Sequence, residues 1–331
     1  MTNEIAIIGA GLSGLAVANI LKEYADITLF EKARGVSGRM STRQAEPYLF
    51  DHGAQFFKAR TDEFKAFIDP MIQEGVIARW DARFVEIVDR EVISKRKWGE
   101  ELPYYVGLPG MNAIAKHLGQ GLDIQLGTRV QSMKKQQGKW NLADGQGNAL
   151  GDYDWVISTI PAEQAVELLP SSLPCHSTIR ATTMKGCFSL MLGFEHVLPL
   201  EFDAALVRGE DISWISVNSS KPGRNDAYCL LVHSTNKWAD EHIEDDRDKV
   251  MEYLCQQTGE IIGYAVNAAE HKAIHGWRYA YIEKQSGDSH FIDCEAHVGV
   301  CGDWLVQGRV EAAFTSGFGL ANKVLMELQG G

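Results

Sequence analysis

No stretch of the chain approaches the ~20 consecutive apolar residues that a membrane-spanning helix needs, so no membrane partner is expected. Cysteine is sparse. Its six positions (175, 187, 229, 255, 294 and 301) form no C-x-x-C pair and no metal-ligand spacing with the ten histidines. No metal is expected, and a reducing, cytoplasmic setting suits such cysteine usage. Positive charge is in short supply. With 32 Lys and Arg against 44 Asp and Glu, the net charge is −12, which argues against nucleic acid or an anionic membrane surface as partner. An anionic substrate would need a local basic pocket. An apolar run begins within five residues of Met1, so no signal peptide is expected. Internal repeats, low-complexity tracts and long linkers are missing too. What remains is ordinary globular composition, 45% hydrophobic and 23% charged, in 331 residues. That is enough for two domains or one domain with a large insertion.

The N-terminal segment is the most pointed. The run Ile5-Ala6-Ile7-Ile8 stops at Gly9, and Gly9, Gly11 and Gly14 follow in G-x-G-x-x-G spacing around Ala10, Leu12 and Ser13. A helical pattern follows, then a second apolar run (Ile27 to Phe30) ending on Glu31, 22 residues after Gly9. Gly9 permits the tight strand-to-helix turn, Gly11 admits a pyrophosphate to the backbone, and Gly14 lets helix and strand pack closely. The helix N-terminus offers unpaired N–H groups to phosphate, and Glu31 can accept ribose hydroxyls. These features together predict a dinucleotide-binding βαβ unit.

Further on, helices are expected over 61–75, 110–118, 246–258 and 309–328. Short strands with a basic hairpin at Lys95-Arg96-Lys97 are expected over 83–106, and a strand-rich stretch over 123–159. Nucleotide-type signals at both ends and near residue 158 argue for an interleaved chain. One domain is expected from 1–57, 107–162 and 291–331, and the other from 58–106 and 163–290.

Past Glu31 the chain reads Lys32-Ala33-Arg34-Gly35-Val36-Ser37-Gly38-Arg39-Met40-Ser41-Thr42-Arg43. This resembles the G-G-R segment of FAD proteins in the amine oxidase, phytoene desaturase and protoporphyrinogen oxidase superfamily, with Ser37 replacing the first glycine. The resemblance implies a segment lying along the FAD pyrophosphate, where Arg39 and Arg43 would bind phosphate bidentately. Gly302-Asp303, after the strand-like Val298–Cys301, resembles the ribityl-binding Gly-Asp. The following Arg309, Val310 and Ala313 would start a helix aimed at the flavin. Ser158-Thr159-Ile160-Pro161 and Val130 resemble segments near the FAD and its adenine. Asp51-His52-Gly53-Ala54-Gln55-Phe56-Phe57 resembles a segment that lies over the flavin, with Gln55 able to reach substrate. The whole pattern is most similar to the renalase-like branch of the flavin amine oxidases. That likeness implies a glutathione-reductase-type Rossmann FAD-binding domain interleaved with an α+β substrate domain, and non-covalent FAD. It also implies oxidation of misreduced 2- or 6-dihydro-NAD(P) with O₂ as electron acceptor.

No Ser/His/Asp, Cys/His or paired-carboxylate arrangement stands out, which suits hydride transfer from a dihydropyridine. Substrate-side candidates are His233, Trp238, Trp277, Arg278 and Tyr279. Trp277 could stack on a pyridine ring, and Arg278 or His233 could bind its carboxamide or a phosphate. The alternatives are a small-amine oxidase, for which neither Lys185 nor Lys284 sits in a suitable segment, and an FAD-binding protein without turnover.

Overall fold

The structure, a computed structural model, describes residues 2–99 and 102–330. It divides into two compact units: Met1–Arg39, Ala115–Met184 and Ile282–Gly331 form the first, Met40–Ile114 and Lys185–Tyr281 the second. Segments 40–57 and 107–114, expected with the nucleotide-binding part, cluster with the second unit. There Phe57 pairs with Tyr105, and Ile77–Arg79 pairs antiparallel with Tyr105–Gly107. Segments 163–184 and 282–290 cluster with the first.

The first unit is built on a six-stranded sheet. Strand β1 (Asn3–Ile8) runs parallel to β2 (Ala25–Glu31) on one side and to Trp155–Ser158 on the other. Asp123–Leu126 extends the sheet beyond β2, and Val298–Cys301 beyond Trp155–Ser158. Because these strands are parallel, Gly9, Lys32, Thr159 and Gly302 all leave the sheet at its carboxyl edge, where strand order reverses about β1. That edge is the general ligand position of open α/β sheets. The Ile5–Ile8 and Val156–Ser158 runs are buried on both faces, as parallel strands require.

Helix α1 (Leu12–Leu21) is buried nearly all round. Small residues permit this. A Cβ on Gly14 would come 2.1 Å from the Gly9 carbonyl oxygen, and one on Gly317 would come 2.7 Å from that of Ser13. The long helix Val310–Gly330 therefore packs directly on α1, and Ser13 Oγ donates to the Ala313 carbonyl at 2.8 Å.

In the second unit a seven-stranded sheet runs in the order 271–281, 185–193, 229–234, 212–217, 204–208, 83–88, 91–97. One face is apolar: Phe188, Leu190, Leu192, Leu230, Val232, Ile215 and Val217 pack against Val250 and Leu254 of the Arg247–Ile262 helix. The alternate residues of the same strands, among them Ser189, His233, Ser216, His275 and Trp277, stand on the opposite face. The hairpin turn between Arg83–Val88 and Glu91–Lys97 is at Asp89-Arg90, both at positive φ, and not at Lys95-Arg96-Lys97, which lies within the second strand. Nothing in Val88-Asp89-Arg90-Glu91 carries the Asn-Gly or Asp-Gly signature of such a turn.

Candidate functional site

Gly9 adopts φ +108°, a conformation side chains rarely allow, and its N–H donates to the Phe30 carbonyl at 2.8 Å. Thr159 fastens the turn from the other side: its hydroxyl donates to the carbonyls of Ile8 (3.1 Å) and Gly9 (2.9 Å). Gly11 is the N-cap of α1 and no side chain caps it; a Cβ there would meet no heavy atom within 4 Å. The helix thus opens onto clear space with uncapped N–H groups, which fits the approach of a pyrophosphate. Ser37 N–H donates to the Ala10 carbonyl at 3.0 Å, and a Cβ on Gly38 would sit 3.5 Å from Gly11 Cα. The Gly35–Arg39 turn therefore folds over the same helix terminus.

Glu31 is buried, and its carboxylate accepts the N–H groups of Ala10 (3.0 Å) and Ala33 (2.8 Å). Two N–H donors fix the group and still leave lone pairs for ribose hydroxyls. Thr128 N–H donates to the Glu31 carbonyl at 2.9 Å, which brings the turn before the buried Val130 alongside. Arg39 forms a bidentate ion pair with Asp303, so these two sequence-selected residues do meet. Gly302 N–H donates to Ser316 Oγ at 2.8 Å, locking the Gly-Asp turn onto the last helix. Arg309 is exposed just ahead of that helix, Val310 is its first residue, and Lys32 reaches out to Gln164 at 2.9 Å.

Six residues expected at the cofactor, Met40, Arg43, His52, Gly53, Ala54 and Gln55, belong to the second unit. There the Arg43 charge acts on His52, His271 and His275. Gln55 is buried and turned inward. Its amide nitrogen donates to the Asp51 and Gly53 carbonyls, and its oxygen accepts from Ser216 Oγ (3.0 Å) and Lys221 Nζ (3.2 Å). No group is left over to reach substrate, because both amide donors are spent on the 51–55 turn and the oxygen on Ser216 and Lys221.

The second unit's polar face centres on Asp51, whose side chain is wholly buried. It accepts from Thr42 Oγ1 (2.8 Å), Met111 N–H (2.9 Å), Lys221 Nζ (3.1 Å) and Arg224 Nη2 (2.5 Å). Burial alone would raise the Asp51 carboxyl. The Lys221 and Arg224 charges outweigh it, and with the Arg224 and Met111 hydrogen bonds they hold it at about 2. The adjoining His52 stacks on Trp277, with ring centroids 5.3 Å apart, and meets His275 edge-on at 5.1 Å. The His52 carbonyl accepts from Ser189 Oγ (2.6 Å) and Trp277 Nε1 (2.7 Å). The imidazoles here are neutral. Burial, any positive charge on the adjoining His275, and Arg43 bring His52 down to about 4; burial, Arg43 and Arg247 bring His275 to about 4; burial, Lys221 and His52 bring His233 to about 3. His52 Nδ1 and His233 Nε2 are buried with no partner among the described residues.

His233 therefore does not act as a cation for phosphate, though a neutral ring can meet a carboxamide. Arg278 is not brought to this face at all. It follows Trp277 in a strand, so it points the other way, and it pairs with Glu244 among exposed side chains. Trp238 packs in the apolar core beside Tyr253. Lys221, Arg224, Asn218, Ser189 and His275 were not anticipated. The one pointer was Asp51 itself, an acid directly after the apolar Tyr48–Phe50 strand, which needs a cationic partner when buried.

Residues 7–70 match the family model for NAD(P)-binding Rossmann-like domains, and residues 95–325 match that for flavin-containing amine oxidoreductases. Among solved structures, a candidate protoporphyrinogen oxidase from Exiguobacterium sp. superposes with TM-score 0.81 at 13% identity, covering 99% of each chain. A wild-type putrescine oxidase bound to putrescine superposes with TM-score 0.73 at 12% identity, over 98% of this chain and 99% of its own. These structural likenesses establish a shared fold. Among the described residues no helix is long and apolar enough to cross a membrane.

Proposed function

As the chain belongs to the flavin-containing amine oxidoreductase family, with FAD as cofactor, we propose a renalase-like oxidase acting on misreduced dihydropyridine nucleotides. The reaction would be 2- or 6-dihydro-NAD(P) + O₂ + H⁺ → NAD(P)⁺ + H₂O₂. When bound, FAD supplies the hydride acceptor and the route of electrons to O₂. Gly11 and the α1 N-terminus would take its pyrophosphate, Glu31 the adenosine ribose, and Asp303 the ribityl chain with Arg39 beside it.

The observation that carries the substrate class is the character of the His52–His275–Trp277 group. Its imidazoles are neutral, the Arg43 charge bears on both, and the nearest buried carboxylate, Asp51, is matched by two cations. Such surroundings disfavour an ammonium substrate and suit a ring with an anionic tail. A dihydropyridine gives hydride without a protein base, so what it needs is orientation. Trp277 would stack on the pyridine ring, and the neutral His233 or His52 would meet the carboxamide. The six unpaired cysteines suit a cytoplasmic site of action.

Anaerobic mixing of the yellow holoenzyme with 2- and 6-dihydro-NAD(P) and with an amine panel including putrescine tests this. Bleaching by the dihydropyridines alone is expected. Bleaching by amines alone makes the protein an amine oxidase, and bleaching by neither makes it an FAD-binding protein without turnover.

A further inference from the structure

The 51–55 turn is held at nearly every polar atom, and Lys221 is the common point. Its side chain is wholly buried, and its Nζ lies 2.8 Å from Asn218 Oδ1, 3.1 Å from Asp51 Oδ2 and 3.2 Å from Gln55 Oε1. It also sits 5.2 Å over the Trp80 ring. An ammonium has three donors and no acceptor, so all three are engaged. Loss of the proton would leave two donors and a lone pair facing three oxygens, and would cancel the charge that Asp51 pairs with. Asp51 is joined to His52, and His52 in turn anchors Trp277 Nε1 and Ser189 Oγ through its carbonyl.

We infer that Lys221 is a positioning residue: its ammonium locks Asp51 and Gln55, and through them His52 and Trp277, in the reactive arrangement, and alkaline deprotonation releases them and slows substrate oxidation. This rests on reading His52 and Trp277 as the substrate-side group.

The groups facing Lys221 come from several elements. Asp51 stands on the turn, Arg224 on its own loop, and Cys229 and His233 on the Cys229–Ser234 strand. Burial lowers the Lys221 amine, Asp51 opposes this and Arg224 adds to it, leaving it at about 8. Over the range in which Lys221 titrates, Asp51, held at about 2, stays ionised. His233, at about 3, stays neutral, and burial pushes the Cys229 thiol up to about 11. Lys221 is thus the member of this group whose charge changes just above neutrality.

The test uses the FAD-loaded enzyme. In ¹⁵N-lysine spectra, Lys221 Nζ is expected to titrate between neutrality and its ordinary alkaline range. The Trp277 indole N–H, assigned through Trp277→Phe, is expected to shift with the same midpoint. An ammonium that persists through its ordinary range, or an indole that ignores the titration, overturns the inference. With whichever donor bleaches the flavin, the anaerobic reduction rate of the wild type should fall about tenfold per pH unit above the midpoint. Lys221→Arg, which keeps its charge, should lose that limb, and Lys221→Met should be slow at every pH with FAD affinity unchanged. The same limb in Lys221→Arg overturns the inference. If neither variant folds, the wild-type spectra decide. If no donor bleaches the flavin, the proposed function fails while the spectra still test the lysine.

Discussion

Two glycines three positions apart ask for different things. At Gly11 a Cβ meets open space, while at Gly14 it would overlap the Gly9 carbonyl at 2.1 Å. Gly11→Ala should therefore fold with a loss of about 1 kcal/mol or less and lose FAD, since the methyl occupies the space of the pyrophosphate. Gly14→Ala should destabilise the fold itself by about 3 kcal/mol, because the clash outweighs alanine's better helix propensity. Thermal melts of the apoprotein beside FAD titrations separate the two. At Trp277 the ring stacks on His52 while its N–H holds the His52 carbonyl. Trp277→Phe should slow anaerobic flavin reduction roughly fivefold, the worth of about 1 kcal/mol for the lost hydrogen bond. Trp277→Ala should slow it about thirtyfold by adding about 1 kcal/mol of lost stacking. Reoxidation by O₂ should be nearly unchanged in both, as stopped-flow traces would show.

Among elements, the 51–55 turn is the one with the strongest pH signature. Asp51 is held at about 2 against an ordinary 3.8. A depressed carboxyl contributes stability above its unfolded value and loses it as pH falls through the folded one. That contribution is about 2 kcal/mol. Asp51→Asn leaves Lys221 and Arg224 unpaired, so urea unfolding should find it about 3 kcal/mol less stable at neutral pH. The gap should narrow as pH falls from about 4 towards 2; a gap constant with pH would contradict the pairing. Element by element, the sequence was informative wherever a local rule applied. Thr61 and Asp246 cap their helices, and Lys139–Ala143 pairs as a strand. It was silent where tertiary pairing decides. Lys221 meets Asp51 across 170 positions, and no local spacing encodes that. For Arg278 the local rule is alternation: along Gly276-Trp277-Arg278 in the 271–281 strand it stands opposite Trp277.

Over the whole molecule, interleaving has a measurable consequence. A fragment of residues 1–114 contains Gly9, Gly11, Gly14 and Glu31 but lacks the Trp155–Ser158 strand that flanks β1 and the helix that covers α1. It should not bind FAD by fluorescence titration; binding with native affinity would show that the βαβ unit suffices. The parallel order of the first unit was readable because its glycines and acid sit at fixed offsets. The exact exchange points near residues 39, 114, 184 and 281 were not, because contact partners set them. The bond between Ser13 and Ala313, with Gly317 packed on Ser13, also sets an order of events on the ribosome. Helix α1 leaves the exit tunnel early and its covering helix leaves last of the unit's parts. The nascent chain waits with its first helix half covered until residues 310–330 have emerged, so cofactor capture is expected only after that helix is made, and a premature stop before residue 310 should give a chain that does not hold FAD.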